Sequence, residues 1–318
     1  MKEASKRGEG MAKTELLATA RSLEEIKLLL AAGADALTVG EQTYGMRLPG
    51  DLSVEQIAEA VQLARPLGAK IYVVINNIMD NDVLAQLSDY VLRLSQIEVD
   101  AIVFGDPAVL IAMRKAGVKI PLHWNPEMTA TNYVSANYWG TKGATRVVLA
   151  RELNLEQIIE FKRNTELEVQ VQVHGITNIY HSKRSLVSNY FDHQGREADT
   201  RVGAERGLYL VEAERKDEQF PIYEDRNGTH IMSSEDLCML ENVHELLEAG
   251  IDSLKIEGFL KSVEYQVAIV RAYRQAIDAW LADPQTYTFD PAWLEAVEQV
   301  QPSDRPLSYG FFYKEQVY

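Results

Sequence analysis

Apolar residues along the chain fall into two alternating rhythms. Short β-prone runs recur at residues 16–20, 36–40, 71–76, 101–105, 120–124, 146–150, 169–174 and 253–257. Between them apolar positions repeat every three or four residues, as in Leu23, Ile26 and Leu30, or Ile57, Ala60, Val61 and Ala64. The first rhythm is that of a buried parallel strand, the second that of a helix with one face on a core. Their alternation predicts a parallel sheet covered by helices. About eight such strands is the number that closes a barrel. The expected fold is therefore α/β, a (β/α)8 TIM-like barrel.

The helices carry their own punctuation. Ser22 with Glu25 and Ser53 with Gln56 have capping-box spacing. Gly33, Gly68, Gly117 and Gly250 stand where a left-handed residue ends a helix. Pro107 after Asp106 fits a first helical turn. The helix end, glycine and strand start around Gly33 reappear around Gly250, as a barrel of repeated units would give.

The rhythm breaks over residues 177–233, which are polar and charged and contain Asn227-Gly228, a two-residue hairpin signal. Residues 208–211, 220–223 and 230–232 read as short antiparallel strands. This is an expected β-hairpin-containing insertion after strand seven, on the face where βα loops gather. The expected organisation is a leader at 1–12, disordered, a barrel at 13–285 with the insertion at 177–233, and a C-terminal helix and tail at 286–318. The tail is aromatic (Tyr309, Phe311, Phe312, Tyr313, Tyr318) and either packs on the barrel or anchors a partner.

Composition narrows the function. No apolar run approaches the roughly 20 residues of a membrane span, and residues 1–10 lack a signal-peptide core; a cytoplasmic protein is expected. Thirty-two Lys and Arg against 47 Asp and Glu give a net charge of −15, the opposite of a tight nonspecific nucleic-acid binder. RNA contact would need a local patch or a partner. Lys183, Arg184, Arg196, Arg201 and Arg206, interleaved with Tyr180, Tyr190 and Phe191, form either such a patch or a solvated loop. The single cysteine, Cys238, excludes an intrachain disulfide and a cysteine-held metal centre. It reads as a small buried hydrophobe in a helix over 236–248.

Barrels work at the C-terminal ends of their strands. Those ends supply Asp106, His123, His174 and Glu257 as candidates for acid–base chemistry, and Glu41, Arg47, Asn76, Asn125, Arg151 and Lys255 as candidates for binding. Asn178, Lys183 and Arg184 would join them from the insertion. Arg47, Arg151 and Lys255, with Lys183 or Arg184, suit a small dicarboxylate, since guanidinium forks match carboxylates; the alternative is ion pairing with Glu41, Glu152 or Glu257. Lys255 and Glu257 alternate on one strand and so share a face. His123 and His174, with Asp106 or Glu257, are either divalent-metal ligands or structural histidines; no metal motif singles them out. No nucleophile motif for proteolysis is present.

Several stretches resemble the collagenase-like peptidase family (peptidase family U thirty-two): residues 15–18, 32–36, 147–153, and above all Asp252-Ser253-Leu254-Lys255-Ile256-Glu257-Gly258 with Lys261, Ser262 and Tyr265. The family signature of Glu, Gly, Cys, Gly, Cys and Ser falls on Gln170, Gly175, Asn178, Lys183, Ser185 and Ser188. The cysteines that in relatives hold an iron–sulfur cluster are thus absent. Residues 182–186, 227–233 and 310–315 resemble a cysteine-lacking short-subunit subgroup associated with tRNA 5-hydroxyuridine synthesis. That resemblance implies wobble-uridine hydroxylation dependent on prephenate, no cofactor bound by this chain, and an iron–sulfur cluster on a longer cysteine-bearing paralogue that serves as partner. Proteolysis is the alternative that the family's name implies, and a non-catalytic binding subunit is the third.

Overall fold

In a computed structural model, which describes residues 14–196 and 202–315, the strand–helix alternation closes on itself. The expected leader, Arg201 and Tyr318 lie outside the described residues. Seven strands run in order: β1 (Glu15–Thr19), β2 (Ala36–Val39), β3 (Lys70–Ile75), β4 (Ala101–Phe104), β5 (Leu122–Trp124), β6 (Ala144–Val148) and β7 (Glu168–Ser182). After them come β8 (Tyr209–Leu210), β9 (Phe220–Asp225), β10 (Gly228–Cys238), β11 (Ser253–Glu257) and β12 (Leu307–Ser308). Strands β1 to β7 pair in sequence order, and β11 pairs in parallel with both β7 and β1. Those eight parallel strands are a closed TIM-like barrel.

Helices α1 (Leu23–Ala32), α2 (Val54–Ala64), α3 (Asn81–Gln96), α4 (Ala108–Ala116), α5 (Tyr133–Lys142), α6 (Leu155–Arg163), α7 (Leu186–His193), α8 (Val243–Glu248), α9 (Val263–Ala282) and α10 (Pro291–Glu298) complete the chain. In α1, Ile26 and Leu29 are fully buried against the strands, each contributing about 1.5–3 kcal/mol. Ser22 caps that helix, and Gly33 ends it at φ 108°, a conformation that side chains with a β-carbon resist. At Ser53 the capping box is reciprocal with Gln56; at Ser22 it is not, because the Glu25 carboxylate takes the Arg21 N–H instead. The main core lies between strands and helices. A smaller apolar cluster of Leu17, Ala36, Leu48, Tyr72, Val74, Ala101 and Val103 fills the inside of the barrel.

Strand β7 does not stop at residue 174. It continues into the insertion and pairs antiparallel with β10, which pairs with β9, with β8 at the edge. The hairpin turn residues are Arg226 and Asn227. Gly228 already pairs with Asp225, at φ 110°, so the turn sits one residue earlier than the sequence suggested. Asn227 docks on the barrel: its Oδ1 accepts from Asn77 Nδ2 (2.8 Å) and its Nδ2 donates to the Gln42 carbonyl (3.2 Å). The ribbon thereby roofs the C-terminal mouth, with its Ile176, Tyr223 and Met232 packed together with Phe259. Cys238 ends β10 rather than opening a helix, because that ladder reaches it and α8 starts only at Val243.

The tail returns to the barrel. Leu307 pairs with Asp236 in the β12–β10 ladder, the Phe312 carbonyl accepts from Leu155 N (2.9 Å), and Phe312 is buried. No helix among the described residues is long and apolar enough to cross a membrane.

Candidate functional site

Inward-facing residues of the strands and their following loops enclose a polar cavity at the C-terminal mouth. Arg47, Asn76, Asn125, Arg151, Lys255 and Glu257, all expected from the sequence, line it together with Thr19, Thr38, Glu127, Gln170 and Gln172. Its volume is about 70 Å³, well below the roughly 300 Å³ at which typical small-molecule pockets begin.

Glu127, on the loop after β5, is the hub. Arg47 Nη2 meets its Oε1 at 2.8 Å, Arg151 Nη2 meets its Oε2 at 2.9 Å, and Asn76 Nδ2 donates to Oε1 at 3.1 Å. Asn125 Oδ1 accepts from the Glu127 backbone N–H, and Asn76 Oδ1 from that of Met46, so both amides also fix the loops. Burial alone would raise the Glu127 pKa; Arg47, Arg151, Lys255 and the Asn76 hydrogen bond override it and hold the carboxyl at about 2. Both Arg47 (φ 53°) and Glu127 (φ 63°) are in the left-handed region, a strain of order 1–3 kcal/mol each that clusters at binding sites. Lys255 pairs with Glu257 at 2.7 Å, as their shared face predicted. Glu257 Oε1 also takes the Phe259 N–H at 3.1 Å.

Three cations thus face two carboxylates. Arg47 Nη1 is buried without a hydrogen-bond partner, and so is Gln170 Oε1. A donor and an acceptor left unsatisfied in one cavity call for a small polar guest, because buried polar groups otherwise cost stability.

Other expected residues lie elsewhere. Asp106 stands just before α4, its Oδ1 accepting from Ala108 N at 2.8 Å, and does not line the cavity. His123 points inward but below the mouth, edge-on to Tyr72, where burial and then Arg146 and Lys70 push its pKa well below the usual value. That region is a buried plug: Arg146 meets Glu15 (2.5 Å) and Glu168 (2.7 Å), and Tyr72 donates to Glu15 (2.5 Å).

His174 is outside the barrel wall. The ladder to β11 pairs Lys255 with Gln172 and Ile256 with His174, passing over Val173. This bulge turns His174 toward α9, where its Nε2 meets the Tyr265 hydroxyl at 2.8 Å; burial holds its pKa down at about 3. The two histidines therefore share no metal site. Among the described residues no three His, Cys, Asp or Glu side chains are grouped to hold an ion.

Glu41 turns outward to the start of α2, its pKa raised by burial and then by Asp51. Lys183 pairs with Asp80 at 2.6 Å and Arg184 is exposed at the end of the ribbon; neither lines the cavity. Asn178 lines a second, larger groove of about 590 Å³ between the ribbon, the loop after β6 and the tail. That groove shares Leu149, Arg151 and Gln172 with the mouth cavity.

The sequence reading missed Glu127 and instead named Glu41, Glu152 and Glu257 as the arginines' partners. The signal was its place in the βα loop two residues beyond Asn125. For hydrolysis the geometry offers little. Burial pushes the Cys238 thiol up to about 11, and the Ser188 hydroxyl donates to Glu224 (2.5 Å).

Comparison with known proteins shows the family. The model of Peptidase family U32 matches residues 21–317. The chain is 48% identical over 310 residues to "tRNA hydroxylation protein P2" of Bacillus subtilis (strain 168), covering 97% of this chain and 100% of that one. It is 33% identical to "tRNA hydroxylation protein P1" of the same organism, covering 96% of this chain and 74% of that one. A solved U32 peptidase structure superposes with a TM-score of 0.49 at 17% identity, covering 78% of this chain and 94% of that one.

Proposed function

Because the chain belongs to peptidase family U32, we propose that it is the subunit without cluster-holding cysteines of a tRNA-hydroxylating assembly working in the cytoplasm. In that role it binds a small carboxylic diacid at the barrel mouth. It also helps present tRNA to a longer, cysteine-bearing paralogue. The observation that carries the reading is the mouth itself: three cations against two carboxylates, with a buried guanidinium nitrogen of Arg47 unpaired. Arg47 and Arg151 would take carboxylates in forked hydrogen bonds. Gln170 would accept from a hydroxyl. Prephenate, a hydroxylated diacid, has the required groups.

An iron–sulfur cluster does not fit this chain. Its one cysteine is buried at the end of β10, and Asn178, Lys183 and Ser185 cannot supply thiolates. In this proposal the cluster belongs to the partner. Support comes from relatives: Bacillus subtilis has both a P1 and a P2 protein named for tRNA hydroxylation, and P1 is the longer.

Deleting the gene should abolish wobble 5-hydroxyuridine, read by mass spectrometry of tRNA. The wild-type gene should restore it, and Arg47→Gln or Arg151→Gln should not. A tagged chain should co-purify the paralogue. Normal 5-hydroxyuridine in the deletion strain, or a chain that purifies alone, defeats the proposal.

A further inference from the structure

We propose that Glu127 is an internal ligand: its carboxylate occupies the seat of an incoming dicarboxylate, and the loop carrying it swings out when that ligand binds. This rests on the reading of the mouth as an anion site and adds its regulation.

The contacts are those of a bound acid. Each Glu127 oxygen receives one guanidinium, from Arg47 at 2.8 Å and Arg151 at 2.9 Å, and Asn76 adds an amide at 3.1 Å. Charged donors converging on both oxygens in this way are how a carboxylate guest is recognised. Charge gives the same answer. With Glu127 inside, Arg47, Arg151 and Lys255 face Glu127 and Glu257, leaving one positive charge. With Glu127 outside, two positive charges remain, which match a dianion.

Size requires the movement. About 70 Å³ is room for a few water molecules, so a diacid of several carbons enters only if something leaves. Glu127 is the side chain placed to leave. Its φ of 63° and the 53° of Arg47 are conformations that residues with a β-carbon adopt at a cost, so release relieves strain. The next residue, Met128, is already exposed, and the loop from β5 to α5 has no regular structure to unravel. The same movement frees Arg151, which stands on the wall shared with the larger groove.

Calorimetric titration of the full chain with succinate, and with acetate as the monoanion, tests this. Glu127→Gln and Glu127→Ala should bind succinate at least tenfold more tightly than the wild type, while acetate affinity changes less. Hydrogen exchange of the wild type gives a readout that needs no variant. Succinate should increase exchange in residues 127–131, where an ordinary site would show protection. Succinate binding in the wild type that Arg47→Gln weakens, without tighter binding in the Glu127 variants or faster exchange of the loop, overturns the internal ligand and leaves the anion site standing. No carboxylate binding by any of these proteins overturns both.

Discussion

Asp236→Asn is expected to lower the melting temperature by about 6 °C and to remove one part of the chain's acid sensitivity. Asp236 is fully buried in β10. Its carboxylate receives Lys261 Nζ, Arg305 Nη2 at 2.8 Å and Gln301 Nε2 at 2.8 Å. Its backbone N–H donates to the Pro306 carbonyl at 3.0 Å, so one residue ties the ribbon, the loop before α9 and the tail together. Burial alone would raise its pKa; Arg305 and Lys261 override it and hold it at about 2, against an ordinary 3.8. That difference is worth about 2.5 kcal/mol. Because the folded value is the lower one, this stability is present above pH 3.8 and is lost as pH falls through about 2. An asparagine leaves Lys261 and Arg305 buried without their counter-charge, a loss of about 3–5 kcal/mol in all. With an unfolding entropy near 0.7 kcal/mol per degree for a chain of this length, about 4 kcal/mol moves the midpoint by about 6 °C. Scanning calorimetry at pH 7 and in steps down to pH 2.5 reads both effects, and the gap between wild type and variant should narrow below pH 3.8. A shift under 2 °C at pH 7, or a gap that stays constant to pH 2.5, would refute the assignment of this network as a buried electrostatic latch.

Two further outcomes are expected. In Gly175→Ala the new β-carbon would fall on the Glu257 carbonyl oxygen at a φ of 97°; a loss of about 3 kcal/mol or more in urea unfolding is expected, and succinate binding should fall because Lys255 and Glu257 shift with that strand. Destabilisation under 1 kcal/mol would show that the strands part easily there. Cys238 should resist a thiol-directed reagent in the native chain, because burial pushes its thiol up to about 11. Cys238→Ala should leave tRNA hydroxylation intact, and rapid native labelling would contradict that picture.

The sequence by itself determined the barrel. Eight strand-like runs, a helix cap at Ser53, a hairpin at Asn227 and a single cysteine are local or countable properties, and local periodicity suffices to read the strands and helices. It also gave six residues of the mouth, Arg47, Asn76, Asn125, Arg151, Lys255 and Glu257, because strand ends are where a barrel presents its chemistry. Only the tertiary structure decided which way the others face. Passing over one residue of a strand sends the next to the opposite side, and at Val173 that placed His174 against α9 rather than in the mouth. His123 faces inward, but depth along the barrel, set by register, put it beside Tyr72 below the cavity. Which acid the arginines meet was likewise beyond the sequence. Glu127 reaches Arg47 and Arg151 only because the barrel closes and brings the loops after β2, β5 and β6 over one opening.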